Sequence, residues 1–434
     1  MPASGTPPQP DDQAGSTDST NHRPRRRRRP AVRLVLLTVI AVLLGASQAA
    51  PAVHLDPPDL SGLPEGAYVA LGDSYASGFG VPPYAEGTDV TGGNTCRRSA
   101  GSYAHIVSTR MGRTLEMGAC SGARTRSFYE AKTPGKEPAQ LDHLGSSIGL
   151  VTFSIGGNDA GFSSIFAKCV TATPFSNCSG NKEVSERVDG AIDALAGKTT
   201  QDGIYSYDTI MSDIAARSPN ATVVAVGYPR MFTPHGAGQI LPVPGRCEGV
   251  TKVDQRWINA KINDLNSAAR AASQRHGYQF TDPSGSFAGH ELCGQQSSWF
   301  QGLIDDGRFH PNADGHKAMA ASVMDALNAQ GQEAAQDHPA AAQAQADNMR
   351  PAGAFTLTRN GDRLSLDASA STDADGAVAN IDWYIQHADG TEEVLTGAWA
   401  TAMVPADQQA VITAVVTDNQ GKEDFTTQTS PAAG

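Results

Sequence analysis

An α/β domain built on a parallel sheet, followed by a small all-β sandwich, is the fold class that this sequence predicts. Three observations predict it. Short apolar runs at 68–71, 149–155, 221–226 and 278–281 are bounded by Gly and Pro, as suits buried parallel strands. Stretches with helical spacing separate them, and strands alternating with helices imply a parallel sheet covered on both faces. From residue 351 the character changes to short alternating or β-branched runs split by turns, the pattern of a small β-sandwich.

The first 50 residues read as an export leader. They carry seven Arg against three Asp, including the run Arg25 to Arg29. Thirteen residues without charge follow, Leu34 to Ala46, and then the small residues Ala46, Ser47, Ala49 and Ala50. A positive region, a short apolar core and a small-residue exit are the parts of a signal peptide, and cleavage is expected near Ala49 to Ala52. The core is short for a membrane span, which takes about 20 apolar residues. The alternative is an uncleaved leader, Leu34 to Val53, that anchors the chain in the membrane. Secretion to the extracellular space is the expectation.

The whole chain has a net charge of −12, which leaves −16 on residues 51–434. An acidic body argues against nucleic acid as a partner, because phosphate binding needs basic patches. All six cysteines lie between the leader and residue 300: Cys96, Cys120, Cys169, Cys178, Cys247 and Cys293. An even count in an exported chain suggests disulfides. Sequential pairing, Cys96–Cys120, Cys169–Cys178 and Cys247–Cys293, closes short loops and is the pairing expected here. None sits in a C-x-x-C unit, so no zinc or redox centre is expected.

Residues 64–330 form the α/β domain. Its first strand, Tyr68 to Leu71, ends in Gly72-Asp73-Ser74; its second, Gly149 to Ile155, ends in Gly156-Gly157-Asn158-Asp159; its third, Ala221 to Val226, ends in Gly227-Tyr228-Pro229. Tyr278 to Thr281 is the fourth. Between Val253 and His276, Trp257, Ile258, Ile262, Leu265, Ala268, Ala269 and Ala272 recur at helical spacing, with Gly277 as a stop. A last helix covers Ala313 to Ala329, with Met319, Val323, Met324 and Leu327 on one face. Residues 331–350 are Ala, Gln and Asp with almost no large apolar side chain, and read as a linker. In 351–434, Leu364 to Leu366, Ile381 to Ile385 and Val411 to Thr417 are the expected strands.

Ligands on parallel sheets bind beyond the carboxyl ends of the strands. Ser74 and Asn158 both follow a strand end, so the two motifs are placed to meet. A serine hydroxyl is a poor nucleophile until a base takes its proton, and it needs donors aimed at the oxyanion that forms. Ser74 is the candidate nucleophile and its own N–H a candidate donor. His310, in Phe309-His310-Pro311-Asn312, is the candidate base, held outward by a rigid helix entry. His316 is the rival; it lies about two turns further on and is expected to face solvent. The side-chain amide of Asn158 and the backbone N–H of Gly122, in Cys120-Ser121-Gly122-Ala123, are further candidate oxyanion donors. Residues 81–95, 163–182 and 229–247 are Gly- and Pro-rich and are expected to rim the site.

The order Gly-Asp-Ser, Gly, Gly-x-Asn-Asp, His-Pro-Asn resembles the SGNH (GDSL-type) hydrolase family. The matching blocks are Tyr68 to Gly80, Cys120 to Ala123, Ser154 to Phe162 and His310 to Asn312, and the resemblance covers residues 66–330. The six-cysteine pattern resembles the secreted actinobacterial esterase and lipase branch. The resemblance implies a flavodoxin-like three-layer fold and a serine ester hydrolase that needs no cofactor. It implies Ser74 as nucleophile and His310 as base, with an oxyanion hole of the Ser74 N–H, the Gly122 N–H and the Asn158 side chain. Where most of the family has Asp three residues before the catalytic His, this chain has Gly307. The orienting acceptor for His310 is then expected to be a backbone carbonyl, most simply that of Gly307, with Asp306 or Asp305 as a nearby carboxylate alternative. The segment Leu366 to Gly376, with Ile381-Asp-Trp383 and Val415 to Gly421, resembles a PKD-type β-sandwich, a module found appended to secreted enzymes.

An esterase or lipase acting on lipid, aryl or polymer-linked esters is the leading reading. A phospholipase or a polysaccharide acetyl esterase is the alternative within the same chemistry. A non-catalytic polymer-binding protein is the alternative outside it. The sandwich makes contact with a polymer or cell wall through 351–434 a further expectation.

Overall fold

A computed structural model describes residues 63–133, 136–170, 178–234, 250–294, 296–302, 306–329 and 348–432. The leader, most of the linker, Asp305 and Cys247 lie outside the described residues. Among the described residues no helix is long and apolar enough to cross a membrane.

The first domain is organised on a parallel sheet of five strands: β1 (Ala67–Gly72), β2 (Leu115–Met117), β3 (Ile148–Ser154), β4 (Thr222–Val226) and β5 (Gln279–Thr281), in the order β2-β1-β3-β4-β5. All four pairings are parallel. The central strands β1, β3 and β4 are almost wholly buried, which is why they read as continuous apolar runs and not as alternation. β2 was not anticipated. It is three residues long, lies on the sheet edge and is only partly covered, so Leu115-Glu116-Met117 leaves little pattern.

The helices are α1 (Ser74–Ser77), α2 (Tyr103–Met111), α3 (Phe162–Val170), α4 (Lys182–Leu195), α5 (Tyr207–Arg217), α6 (Lys252–Arg275) and α7 (Ala313–Ala329). α6 matches the expected helix within a residue at each end, and α7 matches it in full. Thr251 caps α6 by accepting from the Asp254 N–H at 3.1 Å.

The second domain has two antiparallel sheets, β10-β7-β6 and β12-β11-β8-β9. The strands are β6 (Thr356–Asn360), β7 (Arg363–Asp367), β8 (Val378–His387), β9 (Glu392–Thr396), β10 (Trp399–Met403), β11 (Ala410–Asp418) and β12 (Glu423–Thr429). Alternate residues Ile381, Trp383 and Ile385 of β8 meet Ile412, Ala414 and Val416 of β11 in the core between the sheets. β11 is buried on both faces, because its other face lies against the first domain: Val415 and Tyr384 pack on Val253 of α6. That double burial explains why the run Val411 to Thr417 is β-branched at every position but Ala414.

The two domains are joined by ion pairs as well as by packing. Arg256 of α6 sends its guanidinium to Asp382 at 2.6 Å and to Glu423 at 2.6 Å, with Thr417 at 3.1 Å. The Lys252 N–H donates to Glu392 at 2.8 Å. Arg350, at the end of the expected linker, pairs with Asp189 of α4 at 2.6 Å and Asp264 of α6 at 2.7 Å. Asn348, whose amide donates to Asp418 at 2.8 Å, and Arg350 are thus held by polar contacts at the end of the expected linker, whereas Met349 is exposed.

Removing Arg256 strands two largely buried carboxylates, and breaking a buried pair in this way typically costs about 3–5 kcal/mol. Arg256→Ala is expected to lower the urea midpoint of unfolding accordingly; an unchanged midpoint would show that the contact contributes nothing.

Candidate active site

β1 delivers the sequence Gly72-Asp73-Ser74 to the carboxyl edge of the sheet. Gly72 takes φ 122°, and a Cβ there would strike the backbone of Ser154 on β3, so only glycine fits. Its N–H and carbonyl are both held by the Gln140 side-chain amide, at 2.6 and 2.8 Å. Asp73 caps α1 by accepting from the Tyr75 N–H at 2.9 Å, which sets Ser74 as the first helical residue. Its other carboxylate oxygen accepts from the Tyr228 hydroxyl at 2.5 Å. Burial raises the Asp73 carboxyl to about 7, against the lowering effect of the Tyr228 and Tyr75 hydrogen bonds.

His310 reaches Ser74 from the far end of the domain. Its Nε2 lies 2.7 Å from Ser74 Oγ. Its Nδ1 lies 2.9 Å from the Arg308 carbonyl. A carbonyl only accepts, so Nδ1 carries the proton and the Nε2 lone pair faces the serine hydroxyl. The ring nitrogen thus bonds the Arg308 carbonyl, while the carbonyl of Gly307, the expected acceptor, takes the His310 backbone N–H at 3.0 Å. The turn responsible has Phe309 at φ 66°, which swings the ring back over the carbonyl two residues before it. The Asp306 side chain is 83% exposed and pairs with Arg97 at 3.5 Å.

The His310 loop is fixed on several sides. Tyr75 donates its hydroxyl to the Phe309 carbonyl at 2.5 Å, and the Gln301 N–H donates to the His310 carbonyl at 2.8 Å. Asn312 caps α7 by accepting from the N–H groups of Asp314 and Gly315, and its amide donates to the Ser298 carbonyl at 2.9 Å. Burial lowers His310 to about 4, with the Arg308 and Gly307 carbonyls opposing the shift. His316 does not face solvent. It is fully buried in the first turn of α7, where its Nδ1 accepts from the Tyr103 N–H at 3.2 Å and ties α7 to the start of α2.

The other two candidate donors lie on loops tied to the same edge. Gly122 takes φ 75° in the turn closed by Ala123 N–H to Cys120 carbonyl at 2.9 Å. Cys120 anchors that turn twice: its N–H donates to the Gly72 carbonyl at 3.0 Å, and its sulfur is bonded to Cys96. Neither Ser74 N–H nor Gly122 N–H donates to an acceptor among the described residues. Asn158 donates one amide N–H to the Ala123 carbonyl at 3.0 Å, which leaves the second for a ligand. Asp159 accepts from both the N–H and the hydroxyl of Thr125, so the two loops are cross-linked. Cys169–Cys178 is the second disulfide; Cys247 of the third expected pair lies outside the described residues.

A cleft opens over Ser74, His310 and Asn158. Its apolar wall is Phe162, Phe166, Met231, Ile262 and Phe309. Of the expected rim, residues 163–170 are helix and not loop, and 171–177 and 235–249 lie outside the described residues. A larger cleft lies between α4, α6 and Arg350. It is lined by acids and bases such as Asp189, Asp264 and Lys422, and no histidine lines it. Phe166 falls within the expected rim segment 163–182, whereas Tyr228 and Phe162 were not among the residues expected at the site. The available signal for Tyr228 was its place just past the end of a parallel strand, the same signal that marked Ser74 and Asn158.

A family model described as GDSL-like lipase/acylhydrolase matches residues 70–318. The chain belongs to this family. Among curated relatives, a lipase of Streptomyces rimosus is 33% identical over 293 residues, covering 67% of this chain and 94% of that protein. Lipase 2 of Streptomyces coelicolor is 32% identical over 310 residues, covering 69% and 98%. Among solved structures, phospholipase A1 from Streptomyces albidoflavus NA297 aligns at 30% identity with a TM-score of 0.47, covering 61% of this chain and 99% of that one. The GDSL-family protein is a carboxylic ester hydrolase, and its parallel five-stranded domain followed by antiparallel sheets is the fold class the sequence predicted.

An exposed ion-pair partner of Arg97 has little to contribute to catalysis. Asp306→Ala is expected to keep kcat/KM within about twofold of wild type; a loss of several hundredfold would return the orienting role to that carboxylate.

Proposed function

We propose that Ser74 is the nucleophile and His310 the general base of an acyl-transfer cycle on esters with an apolar acyl chain. The observation that carries this is the 2.7 Å contact between His310 Nε2 and Ser74 Oγ at the floor of an apolar cleft. Ser74 Oγ attacks the ester carbonyl carbon as Nε2 takes the hydroxyl proton, while Nδ1–H stays on the Arg308 carbonyl. The N–H groups of Ser74 and Gly122 and the second amide N–H of Asn158 receive the oxyanion. The alcohol leaves with the proton from Nε2. Water, activated by the same nitrogen, then releases the acid and restores the serine hydroxyl.

The cleft wall supports one acyl class over another. Each buried CH₂ stabilises binding by about 0.8 kcal/mol, close to fourfold in affinity. An acetyl group leaves Phe162, Phe166 and Met231 uncovered, so lipid esters, phospholipids among them, suit this cleft better than acetylated polysaccharide. The disulfides Cys96–Cys120 and Cys169–Cys178 fit an oxidising compartment and support secretion through the leader of residues 1–50. On β10, Trp399 is 68% exposed beside exposed Met403, which supports contact with a polymer as a second role of residues 351–434.

Hydrolysis of p-nitrophenyl esters from acetate to palmitate is expected to rise in kcat/KM over the first several carbons and to fall by about 10³-fold or more in Ser74→Ala. Activity surviving in Ser74→Ala would sink the nucleophile assignment, and acetate as the best substrate would sink the acyl reading.

The pH profile follows from burial of the base. Protonation removes the Nε2 lone pair, and His310 resists it down to about 4. The acid limb of kcat/KM is therefore expected nearer pH 4 than the 6.5 of a free imidazole. A midpoint at or above 6.5 would contradict it.

A further inference from the structure

We propose that Tyr228 is a positioning residue of this hydrolase: its phenol bridges the nucleophile loop to the Gly156-Gly157-Asn158 loop and sets the spacing between them. The inference rests on the reading of Ser74 and Asn158 given above. The Tyr228 hydroxyl donates to Asp73 at 2.5 Å and accepts from the Gly157 N–H at 3.0 Å. Asp73 directly precedes Ser74, and Gly157 directly precedes Asn158. One oxygen atom therefore joins the neighbours of the nucleophile and of an oxyanion donor.

The same ring packs on a side chain that reaches the His310 loop. It meets Tyr75 edge-on, with centroids 4.9 Å apart, and Tyr75 holds the Phe309 carbonyl next to His310. Gly157 shows how tightly the ring is seated: a Cβ there would lie 3.2 Å from the phenol carbon and oxygen.

Tyr228 is itself held at both backbone polar atoms. Its N–H donates to Asn266 Oδ1 at 2.9 Å, and its carbonyl accepts from Asn266 Nδ2 at 2.8 Å. Asn266 is buried on α6, one turn beyond Ile262 of the cleft wall. The phenol thus projects from a fixed strut into the gap between two loops that must keep register during the reaction. Small misplacements of catalytic groups are expensive in rate and leave ground-state binding largely untouched.

Three variants test this on p-nitrophenyl butyrate, each checked for folding by circular dichroism. Tyr228→Phe keeps the ring and removes only the bridge. It is expected to lower kcat by ten- to a hundredfold with KM within threefold, and to slow labelling of Ser74 by an alkyl fluorophosphonate by a similar factor. Asp73→Asn keeps shape but leaves one acceptor oxygen for the two donors that the carboxylate serves, the Tyr75 N–H and the Tyr228 phenol, and is expected to lose activity similarly. If both act through one bridge, the double variant is no worse than either single one. Wild-type kcat in Tyr228→Phe or in Asp73→Asn, or a rise in KM with kcat intact, would overturn the proposal. Should Tyr228→Phe fail to fold, Asp73→Asn decides alone. Ser74→Ala in the same assay separates the two levels. Residual activity there overturns the reading of the site, whereas full activity in Tyr228→Phe beside an inactive Ser74→Ala overturns this inference only.

Discussion

Ser74 and His310 stand 236 positions apart in the chain, and the hydrogen bond between them depends on two unrelated stretches ending at the same edge of one sheet. Each partner brings its own fixing. Ser74 is set by Gly72, whose backbone is clamped by Gln140, and by Asp73, which starts the short helix α1. His310 is set by the Asn312 cap of α7 and by the segment 299–301 that runs beside it. Tyr75 then closes the circuit, because it follows Ser74 in sequence and holds the Phe309 carbonyl in space. The domain buries Gly72, Asp73, Tyr75, Gln140 and Phe309 around this contact.

The electrostatics of the base follow from what orients it. A carboxylate at Nδ1 would favour the imidazolium by a full charge; the Arg308 carbonyl offers only a dipole. Burial therefore prevails, and the imidazole stays neutral over nearly the whole working range of pH. The base is weaker than a free imidazole yet always in the form that accepts a proton. In the proposed cycle the cost is borne in the transition state, where the imidazolium and the oxyanion would form together inside the same cleft. Asp73 shows the same effect with the opposite direction of shift: burial raises it towards neutrality, and its hydrogen bonds to Tyr228 and Tyr75 oppose the rise.

Much of this was legible in the sequence, for identifiable reasons. Strands β1, β3 and β4 were readable because double burial demands continuous apolar residues. Ser74, Asn158 and His310 were readable because each abuts an element end marked by Gly or Pro. What was missed depends on contacts between distant residues. His316 carries no local sign of burial, since its partner is the Tyr103 N–H more than two hundred positions away. β2 is too short to print a pattern. The choice of Arg308 over Gly307 turns on the positive φ of Phe309, which an aromatic residue rarely adopts and which no composition rule foretells. The ion pairs of Arg350 were not legible because its two carboxylate partners sit on α4 and α6, far back in the chain.

Helix α6 has two clients. Its first turns carry Val253 and Arg256, which face the sandwich, and its middle carries Ile262 and Asn266, which face the cleft and Tyr228. A foreign sandwich grafted after residue 350 would have to bring carboxylates to the places of Asp382 and Glu423, or leave Arg256 covered without a counter-charge. The tail is thus not freely interchangeable with others of its kind. The border that divides the chain into two folds does not divide its energetics, and an appendage exchanged by recombination would have to be selected together with the helix on which it rests.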